Sequence, residues 1–226
     1  MEQQLDIILQ HYAGQMDELS KMSVANISSY AERIGASHRL ILGQVFNSNI
    51  SAQSQKLIML DKQFDEYETV VMVDTDMFAR SDENIFEASG MGRHTRIQSE
   101  LVEKISARRP DLANSNAPYW GGAVYKFDQQ TREQLRSAIP DQFTLNELDR
   151  MLKDESIMHY LAWKSGLTVT DQTYFSGKCG GEEWDMNSFD KPSEGNIIHI
   201  RPKWTLTGPK ATKLEIYNDL VTKCVI

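Results

Sequence analysis

Three observations predict an α/β domain built on a mixed, mainly parallel sheet flanked by helices. Apolar runs alternate with segments of helical spacing through the first third of the chain. The run Thr69-Val70-Val71-Met72-Val73 is β-branched and apolar, as a buried central strand requires, and it ends abruptly in Asp74-Thr75-Asp76. The length of 226 residues, with 40% hydrophobic and 25% charged residues, suits one domain with a large core.

Taken in order, Leu5 to Leu9 forms the first strand, and Gln10-His11-Tyr12-Ala13-Gly14 the loop at its carboxyl end, where open α/β sheets bind ligands. His11 and Tyr12 either stack on a nucleotide base there or close the core. Val24, Ile27, Ala31 and Ile34 recur at helical spacing, with Ser23 as the expected cap and Gly35 as the stop. His38 to Leu42 gives a second strand. Ser51 to Phe64 reads as a second amphipathic helix, with Leu57, Leu60 and Phe64 on its apolar face, and the Thr69 to Val73 strand follows. Strand, helix, strand, helix, strand is the pattern of a parallel sheet.

Asp74 and Asp76 therefore stand at the sheet's carboxyl edge. Alternate residues of an extended chain point the same way, so the two carboxylates can share one hard cation if Thr75 faces away. The plainer reading is a polar turn whose Asp caps a helix. The apolar run in front favours the first reading.

Beyond this pair the pattern loosens. Ile85-Phe86 begins a short helical turn. Residues 90–116 are polar, with Arg93, His94, Arg96, Arg108 and Arg109 either lining an anionic site or lying on a solvated face. Trp120-Gly121-Gly122 leads into a fourth strand, Ala123 to Phe127. The glycines permit close backbone approach, and Trp120 either offers a flat face to a sugar or packs in the core. A long helix is expected from about Thr144 to Ser165, stopped by Gly166, with Asp154-Glu155 on an exposed face. A Gly-rich loop, Gly177 to Gly181, precedes Ile197-Ile198-His199-Ile200, where His199 alone reads as a core residue. Leu214, Ile216, Leu220 and Val221 mark a terminal helix or a lead into another module.

Composition excludes several classes. A net charge of -8 and a pI near 5.2 argue against nucleic acid or an anionic membrane as the main partner, so a phosphorylated ligand would need local cations. No run is long enough to span a bilayer, and the start lacks a signal peptide's basic and apolar regions, so the expected location is cytoplasmic. Two cysteines are too few for a disulfide framework or a zinc site.

The order of Asp-x-Asp strand, aromatic-x-Gly-Gly strand, Asp-Glu helix and late His before Lys203-Trp204 resembles the nucleotide-sugar glycosyltransferases of the GT-A fold. It is most similar to glycosyltransferase family 8, the glycogenin-like group, and to small virus- or bacterium-encoded relatives acting in a host cytoplasm. The resemblance spans Leu5 to about Trp204. It implies one domain over 1–226, with a nucleotide-binding half (1–127) and an acceptor half with C-terminal tail (128–226).

The resemblance further implies transfer of a hexose from a nucleoside-diphosphate sugar, a UDP-sugar first, to a glycan or other hydroxyl acceptor. It places manganese or magnesium on Asp74, Asp76 and His199, a ligand set that also suits manganese chemically. Donor contacts would come from His11, Tyr12, Lys56, Asp74, Thr75, Asp76, Gly122 and Lys203, and the acceptor side from Asp154 and Glu155 as catalytic residues. Trp120 replaces the family's usual Asn, which leaves the sugar open. Glu155 replaces a Gln, so an inverting course with a carboxylate base stands beside the family's retaining one. The alternatives are a haloacid-dehalogenase-type phosphatase, with Asp74 as nucleophile and Asp76 as acid or base, and a non-catalytic sugar- or nucleotide-binding relative. The sequence carries no signal for oligomeric state.

Overall fold

The computed structural model describes residues 5–93, 98–113, 115–175, 181–184, 195–202, 204–205, 208–209 and 211–226. Expectations for His94, Arg96, Lys203 and residues 177–180 lie outside this set.

The main sheet holds β1 (Asp6–Tyr12), β2 (Ser37–Leu42), β3 (Thr69–Val73), β5 (Gly92–Arg93) and β6 (Gly121–Asp128) in the order β2-β1-β3-β6-β5. β1 is parallel to both β2 and β3. β6 runs antiparallel to β3, and β5 antiparallel to β6, so β6 alone opposes the common direction. The predicted mixed, mainly parallel sheet is therefore present. A second, three-stranded sheet joins β4 (Met77–Ala79), β8 (Ile197–Ile200) and β7 (Gly181–Trp184), with β8 central.

Helix α1 (Glu18–Arg33) starts earlier than its apolar periodicity suggests. Its cap is Asp17, whose carboxylate accepts from Ser20 N at 2.7 Å. Ser23, the expected cap, is a buried mid-helix residue that donates to Met77 O at 2.6 Å. Gly35 is the stop, at φ +75°, a conformation that suits glycine.

The expected second amphipathic α-helix is instead a 3-10 helix, Gln53–Leu60, with a further turn at Lys62–Phe64. The three-residue spacing of Leu57 and Leu60 fits both helix types. Past the exposed Gln53 the 3-10 helix has no solvent face: Ser54, Gln55 and Lys56 are buried along with Leu57 to Leu60. Ser54 Oγ donates to Asp149 Oδ1 at 2.5 Å, and Gln55 Nε2 to Asn47 O at 2.5 Å.

The remaining helices are α2 (Gln98–Arg108), α3 (Gln129–Ser137), α4 (Gln142–Lys164) and α5 (Lys213–Thr222), the last carrying Leu214, Ile216, Leu220 and Val221. Trp120 is core: it is buried, stands edge-on to Tyr125 at 6.4 Å and donates from Nε1 to Thr173 O at 2.5 Å. It presents no face to a sugar.

One buried cation fastens the sheet's lower edge. Arg132 of α3 donates to Phe127 O at 2.9 Å, Tyr67 O at 2.6 Å, Phe64 O at 3.1 Å and Glu68 O at 3.2 Å. Truncation removes all four bonds; Phe64 O keeps Tyr67 N at 3.1 Å, but the penalty for buried acceptors stripped of this donor accumulates. Arg132→Met is predicted to lower unfolding free energy by roughly 3 kcal/mol. Urea denaturation monitored by tryptophan fluorescence checks this, and an unchanged midpoint would contradict it.

Candidate functional site

The carboxylate turn lies where the two sheets meet. Asp74 prolongs the β3–β6 ladder through its N–H to Ala123 O at 3.0 Å. Met77 then opens β4, which pairs antiparallel with β8 in the register Met77↔His199. Ile200 N donates to Asp76 O at 3.0 Å, clamping the same junction. Strand pairing thus carries His199, more than a hundred residues away in sequence, to the side of Asp76. One donor atom from each of Asp74, Asp76 and His199 lies within 4.8 Å of the others. The expected extended alternation does not hold here: the chain turns at Thr75 and Asp76, with Met77 N donating to Asp74 O at 3.3 Å, and Thr75 lines the cleft together with both carboxylates.

The donor set fits a divalent cation. His199 Nε2 is 3.2 Å from Asp76 Oδ1, and that buried oxygen accepts no hydrogen bond among the described residues. Two carboxylates and an imidazole converging on one point make a suitable shell for manganese or magnesium, with water or ligand oxygens completing it. Burial disfavours the charged form of Asp76, but His199 and Lys213 outweigh it and hold the carboxyl well below the usual range.

Beside this turn lies a buried charge cluster. Lys56 Nζ is 2.6 Å from Asp74 Oδ1, 2.6 Å from Gly122 O and 3.3 Å from Asp154 Oδ2. Burial alone would lower its pKa, yet Asp154 and Asp74 drive it above the ordinary lysine value, so it stays charged.

Asp154 is only 4% exposed, against the expectation of an exposed helix face. The reason is a break in α4: Leu152 and Lys153 leave helical geometry, and Lys153 takes φ +57°, which a non-glycine residue rarely adopts. Ser156 Oγ bridges the break, accepting from Leu152 N at 3.1 Å and donating to Leu148 O at 2.5 Å. The second half of α4 thereby turns Asp154 and Glu155 inward. Burial lifts the Asp154 carboxyl to about 6 despite Lys56, with Asp74 and Glu155 adding to the rise. Tyr125 Oη donates to it at 2.8 Å. Glu155 accepts from Tyr119 Oη and, at 3.0 Å, from Gly122 N. Burial and Glu155 together raise the Tyr119 hydroxyl above its ordinary range, so it remains a donor.

These parts surround one cleft of about 650 Å³. His11, Tyr12, Lys56, Asp74, Thr75, Asp76, Gly122, Asp154, Glu155 and His199 all line it. The His11 ring donates to Gly43 O at 2.6 Å, and burial lowers its pKa, which favours a neutral ring at the wall. Sequence reading singled out neither Arg201 nor Lys213, and Arg93 only as part of a basic interval, yet these three cations also line the cleft. Arg93 reaches it because β5 pairs with β6 opposite Gly121, and its Nη1 is 3.5 Å from His199 Nδ1. Arg109, from the same interval, instead pairs with Asp111 and stacks over Tyr160 at 5.1 Å.

A solved structure shares this architecture: a glycosyltransferase involved in the glycosylation of the major capsid of PBCV-1. The match covers 96% of this chain and 99% of that one, with a TM-score of 0.54 and 7% sequence identity. The chain shares its fold with that glycosyltransferase. At this identity the likeness is one of fold alone. No family model and no curated protein matches the sequence. No helix among the described residues is long and apolar enough to cross a membrane.

Glycine at 122 is dictated by the carboxylates above it. A Cβ there would lie 2.5 Å from Asp154 Oδ2 and 3.1 Å from Glu155 Cγ, both held by other bonds. At Gly121 the nearest atoms are the end of the Arg93 side chain, 3.1 Å away. Gly122→Ala is predicted to cost about 1–3 kcal/mol, in the manner of core overpacking, and Gly121→Ala clearly less. Thermal unfolding of the two variants tests this, and equal melting temperatures would contradict it.

Proposed function

We propose that the cleft is the active site of a metal-dependent glycosyltransferase, of the kind seen in family 8, moving a hexose from a UDP-sugar to a hydroxyl of a glycan or similar acceptor. The observation that carries this reading is the convergence of Asp74, Asp76 and His199 at the carboxyl edge of the sheet, in a cleft of a glycosyltransferase fold.

In this reading Asp74, Asp76 and His199 hold a divalent ion, manganese or magnesium, which supplies positive charge against the donor's diphosphate. Lys56, which the resemblance places at the donor, lines the cleft with its ammonium held by Asp74, Gly122 O and Asp154, and so fixes the carboxylate that would ligate the ion. His11 and Tyr12 form the wall for the base, and Gly122 lets the sugar approach the backbone of β6. Lys203 is the further phosphate contact that the resemblance supplies.

Of the two acidic residues on α4, Asp154 is buried under Lys56 and Tyr125, so its part is to orient. Glu155, held by Tyr119 and Gly122, faces the transferred sugar. During transfer the acceptor oxygen bonds to the anomeric carbon, and the bond from that carbon to the diphosphate oxygen breaks, its electron pair staying on the oxygen. In an inverting course Glu155 takes the acceptor's proton.

Calorimetric titration of UDP and of GDP, with and without manganese, tests the proposal. UDP is expected to bind in a manganese-dependent way. Asp76→Asn should weaken that binding at least tenfold, since loss of even an outer-shell partner costs about that much, while circular dichroism stays native. Undiminished manganese-dependent binding in the variant would remove the metal assignment. Binding without donor hydrolysis or transfer would indicate a non-catalytic relative, and phosphate release from simple phosphomonoesters without nucleotide binding would indicate the phosphatase.

A further inference from the structure

Lys213 is the first residue of α5, and its ammonium pairs with Asp76 inside the cleft. A lysine isolated in a tail helix has no place in the sequence motifs of the site. Its position is nevertheless built into the fold. Thr212 and Glu215 form a reciprocal capping box that fixes the first turn of α5. Ile216 and Leu220 are buried in a cluster with Phe78, Ile198 and Ile200, and the Tyr217 ring packs on Phe78 at 4.9 Å. Phe78 belongs to β4 and Ile198 and Ile200 to β8, the strands that bring Asp76 and His199 together. The backbone beneath Lys213 is therefore tied to the same strands as the metal-binding candidates.

The side chain is not tied in the same way. Lys213 is 44% exposed, and its long stem lets the ammonium exchange partners without moving the helix. Asp76 cannot satisfy this ammonium and a divalent ion at full strength together, because the two cations repel at such short range. A displaced ammonium at the rim of the cleft meets the most anionic part of a nucleoside-diphosphate ligand.

Resting on the glycosyltransferase reading, we infer that Lys213 competes with the divalent cation for Asp76 and, once displaced, binds the donor's diphosphate. As the bond to the anomeric carbon breaks and its electron pair stays on the diphosphate oxygen, the Lys213 ammonium donates a hydrogen bond to that leaving group. The metal site and the leaving-group site are thus linked through one side chain.

The linkage makes two effects of opposite sign. In Lys213→Gln, manganese alone should bind several-fold tighter, since its intramolecular competitor is gone. UDP at saturating manganese should bind about tenfold weaker, the size expected for loss of a charge-assisted hydrogen bond. Lys213→Arg should restore most of the UDP affinity. Manganese binding is read by electron paramagnetic resonance and UDP binding by calorimetry, each beside a melting curve. Manganese affinity unchanged or lowered in Lys213→Gln, or UDP affinity unchanged, would overturn the inference and leave the ion pair structural. Failure of the wild type to bind manganese at all would instead overturn the glycosyltransferase reading on which it rests.

Discussion

The ammonium of Lys56 sits where three elements meet, and the geometry of the cleft follows from it. It draws Asp74 at the end of β3, the Gly122 carbonyl at the start of β6 and Asp154 at the break in α4 into one buried cluster. Taking such charges out of water is costly, and the cluster holds only because each member is paired. Loss of one partner in a cluster of this kind costs about 3–5 kcal/mol through the charge left uncompensated. Asp74 and Glu155, the neighbour of Asp154, both line the cleft beside this cluster. Gly122 belongs to the constraint as well, because only a residue without Cβ lets Asp154 come that close.

The second sheet completes what Lys56 begins. Because β4 starts one residue after Asp76, the turn cannot move without moving β4, and the β4–β8 register fixes His199 beside it. Helix α5 then packs on the far side of both strands and returns a cation, Lys213, to Asp76. In a chain with net charge -8, the cleft gathers Lys56, Arg93, Lys153, Arg201 and Lys213 along its walls. They face five carboxylates on the same walls, Asp17, Asp74, Asp76, Asp154 and Glu155, so a divalent ion held by Asp74 and Asp76 would tip the balance toward an anionic ligand.

Much of this arrangement was legible in the sequence, and the exceptions have physical reasons. The strand ending in Asp74-Thr75-Asp76 announced itself because a buried strand needs a continuous apolar run and a ligand edge does not. His11, Lys56, Gly122, Asp154 and Glu155, named from the order of the motifs, all line one cleft. Periodicity failed where burial has no preferred side: residues 54–60 are covered all round, so the polar ones mimicked a solvent face. The cap at Asp17 was missed because the first turn of α1 is polar and adds little to the apolar repeat. Asp154 and Glu155 read as exposed because a helical pattern does not reveal the break at Lys153, whose backbone departs from what its residue type prefers. Trp120 was ambiguous beside two glycines until the packing of Gly92 and Tyr125 around it settled the matter. Lys213 had no local signal, since its role depends on where α5 packs.

The central claim is that Asp74, Asp76 and His199 hold one divalent ion in the cleft. Crystals grown with manganese and UDP, with diffraction recorded near the manganese absorption edge, test it most directly. The account predicts a single anomalous peak within coordination distance of both carboxylates and the His199 ring, with the diphosphate on its open side. A peak elsewhere, or a nucleotide seated in the cleft with no metal at these three residues, would contradict it.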